Sequence, residues 1–119
     1  MIVWTASPDR IVAIASYSVK MPIEALLLSN SVRMAVVGLI KTLADELGPQ
    51  GIRANCVLPG WTRTERVVQL LQARARQKGT TPEEEAAAIT RAIPLGRMAT
   101  PDEFARAVVF LASPAASYI

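Results

Sequence analysis

Few side chains in this sequence could do covalent or acid–base chemistry near neutral pH. The 119 residues include one cysteine, Cys56, and no histidine. A single thiol forms no internal disulfide, and without imidazole there is no plausible zinc site and no His-based triad. Cys56 lies in the run Ala54–Leu58 and reads as a small buried hydrophobe rather than a reactive thiol. The densest charge is Arg63, Arg66, Arg74, Arg76 and Lys78, opposed only by Glu65. That spacing reads as a solvated helix face, with an anionic ligand as the less favoured alternative. Pro59-Gly60 is the remaining feature. Proline fixes a turn there, and glycine lets backbone approach a ligand closely.

The elements that position these groups follow from the apolar pattern. Residues 10–16, Arg-Ile-Val-Ala-Ile-Ala-Ser, form a short β-branched run behind a Ser-Pro-Asp turn and predict a buried strand. From about Ala25 to Leu47, Leu28, Val32, Ala35, Val36, Leu39, Ile40, Leu43 and Leu47 recur at three- and four-residue steps. This predicts one long helix stopped at Gly48-Pro49. Residues 51–58 predict a second strand ended by Pro59-Gly60, and residues 65–78 a second helix. Thr81-Pro-Glu-Glu84 and Thr100-Pro-Asp-Glu103 each place Thr at N-cap, Pro at N1 and Glu at N3, so two more helices begin there. The last carries Phe104, Val108, Leu111 and Ala112 on one stripe and ends near Ser113-Pro114.

The order strand, helix, strand, helices is that of a parallel α/β sheet. Two strands are too few for a stable sheet, and both are apolar throughout, as if covered on two faces. The expectation is a single partial Rossmann-like domain over residues 1–119, part of a doubly wound parallel sheet with about two strands and four helices. The net charge of +3 is too mild for a nucleic-acid signal, and no aromatic residues interleave with the basic stretch. The longest uncharged stretch, Ala107–Ile119, is thirteen residues, too short to span a bilayer. No signal peptide is evident in the first residues. A cytoplasmic protein with no membrane or nucleic-acid partner is expected.

Ile11-Val-Ala-Ile-Ala-Ser16, the helix containing Ser29–Lys41, and Asn55-Cys-Val-Leu-Pro-Gly60 resemble the short-chain dehydrogenase/reductase family. Ile93-Pro-Leu-Gly-Arg97, Thr100-Pro-Asp-Glu-Phe-Ala105 and Val109-Phe-Leu-Ala-Ser113 match its C-terminal half equally well. The resemblance implies NAD- or NADP-dependent hydride transfer between the cofactor and a small carbonyl or alcohol. In that family a Ser orients the carbonyl and a Tyr, twelve intervening residues later, handles the proton. A Lys three intervening residues beyond the Tyr binds the nicotinamide ribose and lowers the Tyr pKa. Aligned on Ala35-Val-Val-Gly-Leu39, the frame places Ser16, Ser29 and Arg33 at these three positions.

Ser16 matches; Ser29 and Arg33 depart from the pattern. A phenol titrates near 10 and a neighbouring cation can bring it toward neutrality, whereas an aliphatic hydroxyl is far less acidic and shorter. Arg33 keeps its charge and can still donate to a ribose. Tyr17 and Lys20 are a decoy. Only two residues separate them, and Tyr17 follows Ser16 in a segment read as extended, which turns the two side chains to opposite faces. Pro59-Gly60-Trp61-Thr62-Arg63-Thr64 matches the family's nicotinamide loop, so the resemblance assigns cofactor contacts to Pro59, Gly60, Thr62 and Thr64. Trp61 and residues 65–78 fall at the substrate lid, whose composition indicates an apolar pocket with some positive charge.

The glycines at 38, 48, 51, 60, 79 and 96 make no GxGxxG or looser GxxxGxG turn, so nothing in the sequence anchors a pyrophosphate. The N-terminal dinucleotide-binding half is absent from the match, and the chain alone is expected to be inactive. Two readings follow: an oxidoreductase portion working within a complete fold, or a non-catalytic pseudoenzyme or assembly module. In either, a homo-oligomer through helix 25–47 is implied by the family.

Overall fold

The computed structural model describes residues 9–24 and 26–119, so expectations for residues 1–8 and for a helix start at Ala25 lie outside the described residues. Strand β1 spans Arg10–Ile14 and strand β2 Arg53–Val57; they pair in parallel with Arg10 opposite Arg53 and Ile14 opposite Val57. Helix α1, Leu27–Leu47, is the crossover between them, as parallel pairing requires. Helices α2, Glu65–Lys78, α3, Pro82–Thr90, and α4, Pro101–Ala112, follow. This is the α/β arrangement of a partial Rossmann-like fold. The chain divides into two compact units, one made of the residues up to Gly60 with Arg106–Ile119, the other of Trp61–Ala105.

In the first unit the core is Val12, Ala13 and Ala15 of β1 and its exit, Ile40 of α1, and Ala116. The eight apolar positions of α1 separate into two stripes. Val36, Ile40, Leu43 and Leu47 are buried or half-buried where α1 packs on β2, while Leu28, Val32, Ala35 and Leu39 are exposed. The two sets lie one residue apart, or about 100° around a helix. Every residue of β2 is only half-buried, so the expected cover on both faces is not supplied by these residues.

α1 with the 3₁₀ turn after it, Leu27–Gln50, contains an 18-residue window of mean hydropathy 1.3 and is long and apolar enough by length and composition to cross a membrane, although no uncharged stretch reaches that length. It holds Arg33, Lys41, Asp45 and Glu46 and packs on a strand. Crossover between hydrogen-bonded strands accounts for its length and for its inner stripe, not for the exposed one.

α1 ends at Leu47 with Gly48 as its C-cap, where the sequence reading put the stop. Gly48 keeps right-handed helical geometry, and the chain tightens into a 3₁₀ turn over Gly48–Gln50. The left-handed residue is Gly51, φ 79°, whose N–H donates to the Gly48 carbonyl at 2.9 Å. The 3₁₀ turn absorbs Pro49, which lacks an N–H to donate.

At the far end, Arg53 donates to the carbonyls of Leu111 (3.1 Å), Ser113 (3.2 Å) and Ile119 (2.9 Å), while Arg10 donates to that of Ala112 (3.1 Å). Asn55 adds a bond to the Ile119 carbonyl at 3.0 Å. The Leu111 and Ala112 carbonyls close the last turn of α4, where no intrahelical partner remains, and those of Ser113 and Ile119 lie beyond it.

In the second unit α2 and α3 pack through Leu71, Ala75 and Glu85. Both Thr-Pro-x-Glu sequences form reciprocal capping boxes. Thr81 and Thr100 accept from the N–H of Glu84 and Glu103, whose carboxylates accept from the threonine N–H groups at 2.8 Å. Arg97 grips Glu103 with both fork nitrogens, at 2.6 and 2.8 Å.

Candidate active site

β1 ends at Ile14, and Ser16 is fully extended (φ −164°, ψ 154°) as the N-cap of a 3₁₀ turn, Tyr17–Val19. The Ser16 hydroxyl accepts the Ser18 N–H at 3.2 Å, which leaves its own proton free to donate. The turn is tied across the sheet end, since the Tyr17 N–H donates to the Pro59 carbonyl at 3.1 Å. Pro59 is thereby fastened beside the residue that follows Ser16. Tyr17 opens the 3₁₀ turn rather than continuing an extended run, a difference imposed by the Ser16 cap. It is half-buried, and Lys20 is exposed.

Ser29 and Arg33 occupy the first turns of α1, one turn apart on the half-buried face that continues into Val36 and Ile40. Arg33 Nε donates to Ser29 Oγ at 3.1 Å, and its Nη1 donates to the Ala15 carbonyl at 2.6 Å. The structure therefore joins two of the three framed residues directly. It anchors them to the peptide that links Ala15 to Ser16. Sequence reasoning missed the Ala15 carbonyl because a backbone acceptor has no residue-type signal. Of the five N–H donors of a guanidinium, three remain on Arg33. In the same turn the Ser18 hydroxyl, in a residue 3% exposed, has no hydrogen-bond partner among the described residues, an unmet buried polar group.

Gly60 has open space before it, since a Cβ there would meet nothing within 4 Å. Cys56, opposite Ala13 in the sheet, is half-buried rather than buried. Burial pushes its thiol up, outweighing a hydrogen bond from the Ala15 backbone, so it is a poor nucleophile.

In the second unit Thr62 bridges to Ala99 as an isolated parallel pair, and the Arg63 N–H donates to the Ala99 carbonyl at 2.8 Å. Thr64 caps α2, its hydroxyl accepting the Val67 N–H. Trp61 lies beneath the Arg74 guanidinium, 5.8 Å from the ring centre, a cation–π distance. The basic stretch is thus only partly a solvated face. Arg66 and Arg76 are exposed, but Arg74 covers Trp61 and Lys78 bonds Glu85 at 2.8 Å. Glu85 is buried. Its bonds from Lys78 and then Thr80 hold the carboxyl below the usual range.

Residues 4–119 match a family model described as Enoyl-(Acyl carrier protein) reductase. The chain is 44% identical over 87 residues to a 3alpha-hydroxysteroid dehydrogenase of Mediterraneibacter gnavus, an alignment covering 73% of this chain and 30% of that protein. A short chain dehydrogenase family protein from Francisella tularensis superposes with TM-score 0.89 and 28% identity over 92% of this chain and 46% of the other. L-sorbose reductase from Gluconobacter frateurii, solved with NADPH and L-sorbose, superposes with TM-score 0.85 and 28% identity over 92% and 42%. The chain therefore spans less than half the length of these proteins. With β1–α1–β2 in parallel register and the sequence match extending over nearly every residue, the chain belongs to the short-chain dehydrogenase/reductase family.

Proposed function

We propose that this chain forms the substrate-side portion of an NAD- or NADP-dependent oxidoreductase acting on a small carbonyl or alcohol. Ser16, Ser29 and Arg33 are its polar working residues. The observation that carries the reading is the Arg33 guanidinium, bonded at once to Ser29 Oγ and to the carbonyl preceding Ser16. A nicotinamide dinucleotide, when bound, supplies or accepts the hydride. The residues fit its nicotinamide–ribose end: Arg33 has donors left for ribose hydroxyls, and the backbone at Gly60 is open. By family resemblance Pro59, Gly60, Thr62 and Thr64 are the further cofactor contacts. No Gly-rich turn for the pyrophosphate is present in the sequence.

In this reading Ser16 donates its free proton to the substrate oxygen and orients it. Arg33 fixes the Ser29 hydroxyl and places positive charge where an alkoxide would develop, a purely electrostatic contribution. Ser29 cannot replace a phenol as an acid; it can orient a water that passes the proton. The missing acid alone lowers the rate by roughly 10²–10⁴-fold, and without a pyrophosphate site the isolated chain is inactive. A cytoplasmic location, and a single partial domain completed by the other half of the fold, belong to the same reading.

The test joins the chain in frame to the Gly-rich βαβ half of a family enzyme and follows NAD(P)H oxidation with a panel of ketones. Slow turnover is expected, raised by the double substitution Ser29→Tyr with Arg33→Lys. An unchanged rate after that substitution refutes the placement of the proton donor.

A second reading, a non-catalytic assembly module, is favoured by the outer stripe of α1, where Leu28 is 79% and Val32 62% exposed. Pairing of two copies through that stripe fits either reading. Val32→Glu would then shift the sedimentation of a dimer to that of a monomer.

A further inference from the structure

The one buried residue of α3 is an acid. Of Pro82–Thr90, all described, only Glu85 is buried. Glu83, Glu84, Ala87 and Ala88 are exposed, and Pro82, Ala86 and Ile89 are half-buried. A helix this short is marginal by itself and depends on what it packs against. α3 packs on α2, where Leu71 and Ala75 are buried, but it brings few apolar atoms to that contact. What it brings is a carboxylate.

Both donors to that carboxylate come from the α2 side. Lys78 Nζ, in the last turn of α2, donates to Oε2 at 2.8 Å, and Thr80 Oγ1, in the connection, donates to Oε1 at 2.9 Å. Arg74, one turn before Lys78 on the same face, adds positive charge through space. The neighbouring acids do not compete for these donors, since Glu84 accepts the Thr81 N–H and Glu83 is exposed. The connection is a fixed anchor: Gly79 is left-handed at φ 68°, and the Thr80 N–H returns to the Ala75 carbonyl at 3.0 Å. The pair is lopsided, with the Lys78 side chain 60% exposed and that of Glu85 8%. Removing the cation from such a pair leaves a desolvated charge without compensation, which is far worse than never having formed the pair.

We propose that Glu85 is an electrostatic latch: its carboxylate holds α3 on α2, and neutralising either Glu85 or Lys78 frees α3 and bares Leu71 and Ala75. The latch is reachable from solvent through the exposed Lys78 amine, so a change of charge at that one position acts on the whole of α3. It lies within the second unit and needs neither cofactor nor turnover, so it and the proposed oxidoreduction can fail separately.

Amide hydrogen exchange of the full chain at neutral pH, read by mass spectrometry, tests this, because local opening sets the exchange rate. Glu85→Gln and Lys78→Met should each speed exchange in α3 peptides at least ten-fold and leave β1 and α1 peptides unchanged. Arg76→Met removes an exposed cation from the same turn of α2 and should change α3 less than two-fold. The double substitution Glu85→Gln with Lys78→Met should be no faster than the faster single one, since either change opens the same latch. Should Glu85→Gln also speed β1 by unfolding the chain, Lys78→Met, at an exposed side chain, decides the matter. Unchanged α3 exchange in Lys78→Met, an equal effect of Arg76→Met, or single effects that multiply in the double variant overturns the proposal. Complete exchange of α3 at the first time point in the unsubstituted chain also overturns it.

Discussion

Arg53→Ala should be among the most destabilising single changes available in the first unit. One guanidinium donates to three carbonyls, those of Leu111, Ser113 and Ile119, at 2.9–3.2 Å. Hydrogen bonds to a charged group contribute about 1.5–3 kcal/mol each, and a carbonyl left buried without a partner costs a similar amount. The three bonds share one side chain, and the one to Ile119 is solvent-exposed, so simple addition overstates their worth. A loss of about 2–3 kcal/mol is expected. Lysine keeps the charge but not the fork, so Arg53→Lys should cost about 1 kcal/mol. Arg106→Ala removes the same charge from an exposed position on α4 and, as an ordinary surface change, should stay within about 0.5 kcal/mol. Urea unfolding followed by circular dichroism at constant ionic strength measures all three. If Arg53→Ala falls within about 0.5 kcal/mol of Arg106→Ala, the carbonyl clamp does not hold the C-terminal segment and the reasoning fails.

Two further outcomes are expected. Gly48 has right-handed helical geometry and Gly51 left-handed, with no atom crowding a Cβ at either. Gly48→Ala should therefore be neutral or stabilise by about 0.5–1 kcal/mol, while Gly51→Ala should destabilise by about 1 kcal/mol; equal signs in thermal melts would contradict the assignment of the left-handed position to Gly51. The Glu103 carboxyl is held down to about 2 from 4.5, first by the Arg97 bond and then by the Thr100 N–H. A depressed folded pKa means its stabilisation is complete above pH 4.5 and disappears as pH falls toward 2. Melts of the unsubstituted chain and of Glu103→Gln should differ at pH 6 and converge near pH 2; a constant difference across that range would show that the ion pair is not the cause.

The two Thr-Pro-x-Glu boxes were legible because a helix N-terminus is a local device: residue types at fixed spacing satisfy their own backbone donors. The crossover was legible for a similar reason, since two β-branched runs joined by a long amphipathic segment pair in parallel only through a helix. That Ser29 and Arg33 share a face was readable from spacing because positions four apart on a helix do so. Three things were not. That the apolar positions of α1 are two stripes depends on which strand the helix meets. The left-handed turn at Gly51 depends on the 3₁₀ turn that accommodates Pro49. The Arg33 bond to the Ala15 carbonyl and the Arg53 clamp join residues 18 to 66 positions apart through backbone oxygens. The sequence by itself determined the two strands, the four α-helices, the starts of α3 and α4, and which residues share a face, because those follow from neighbours along the chain. Only the tertiary structure decided which face is covered and which carbonyl each arginine reaches, because every residue presents the same backbone acceptor and only folding selects among them.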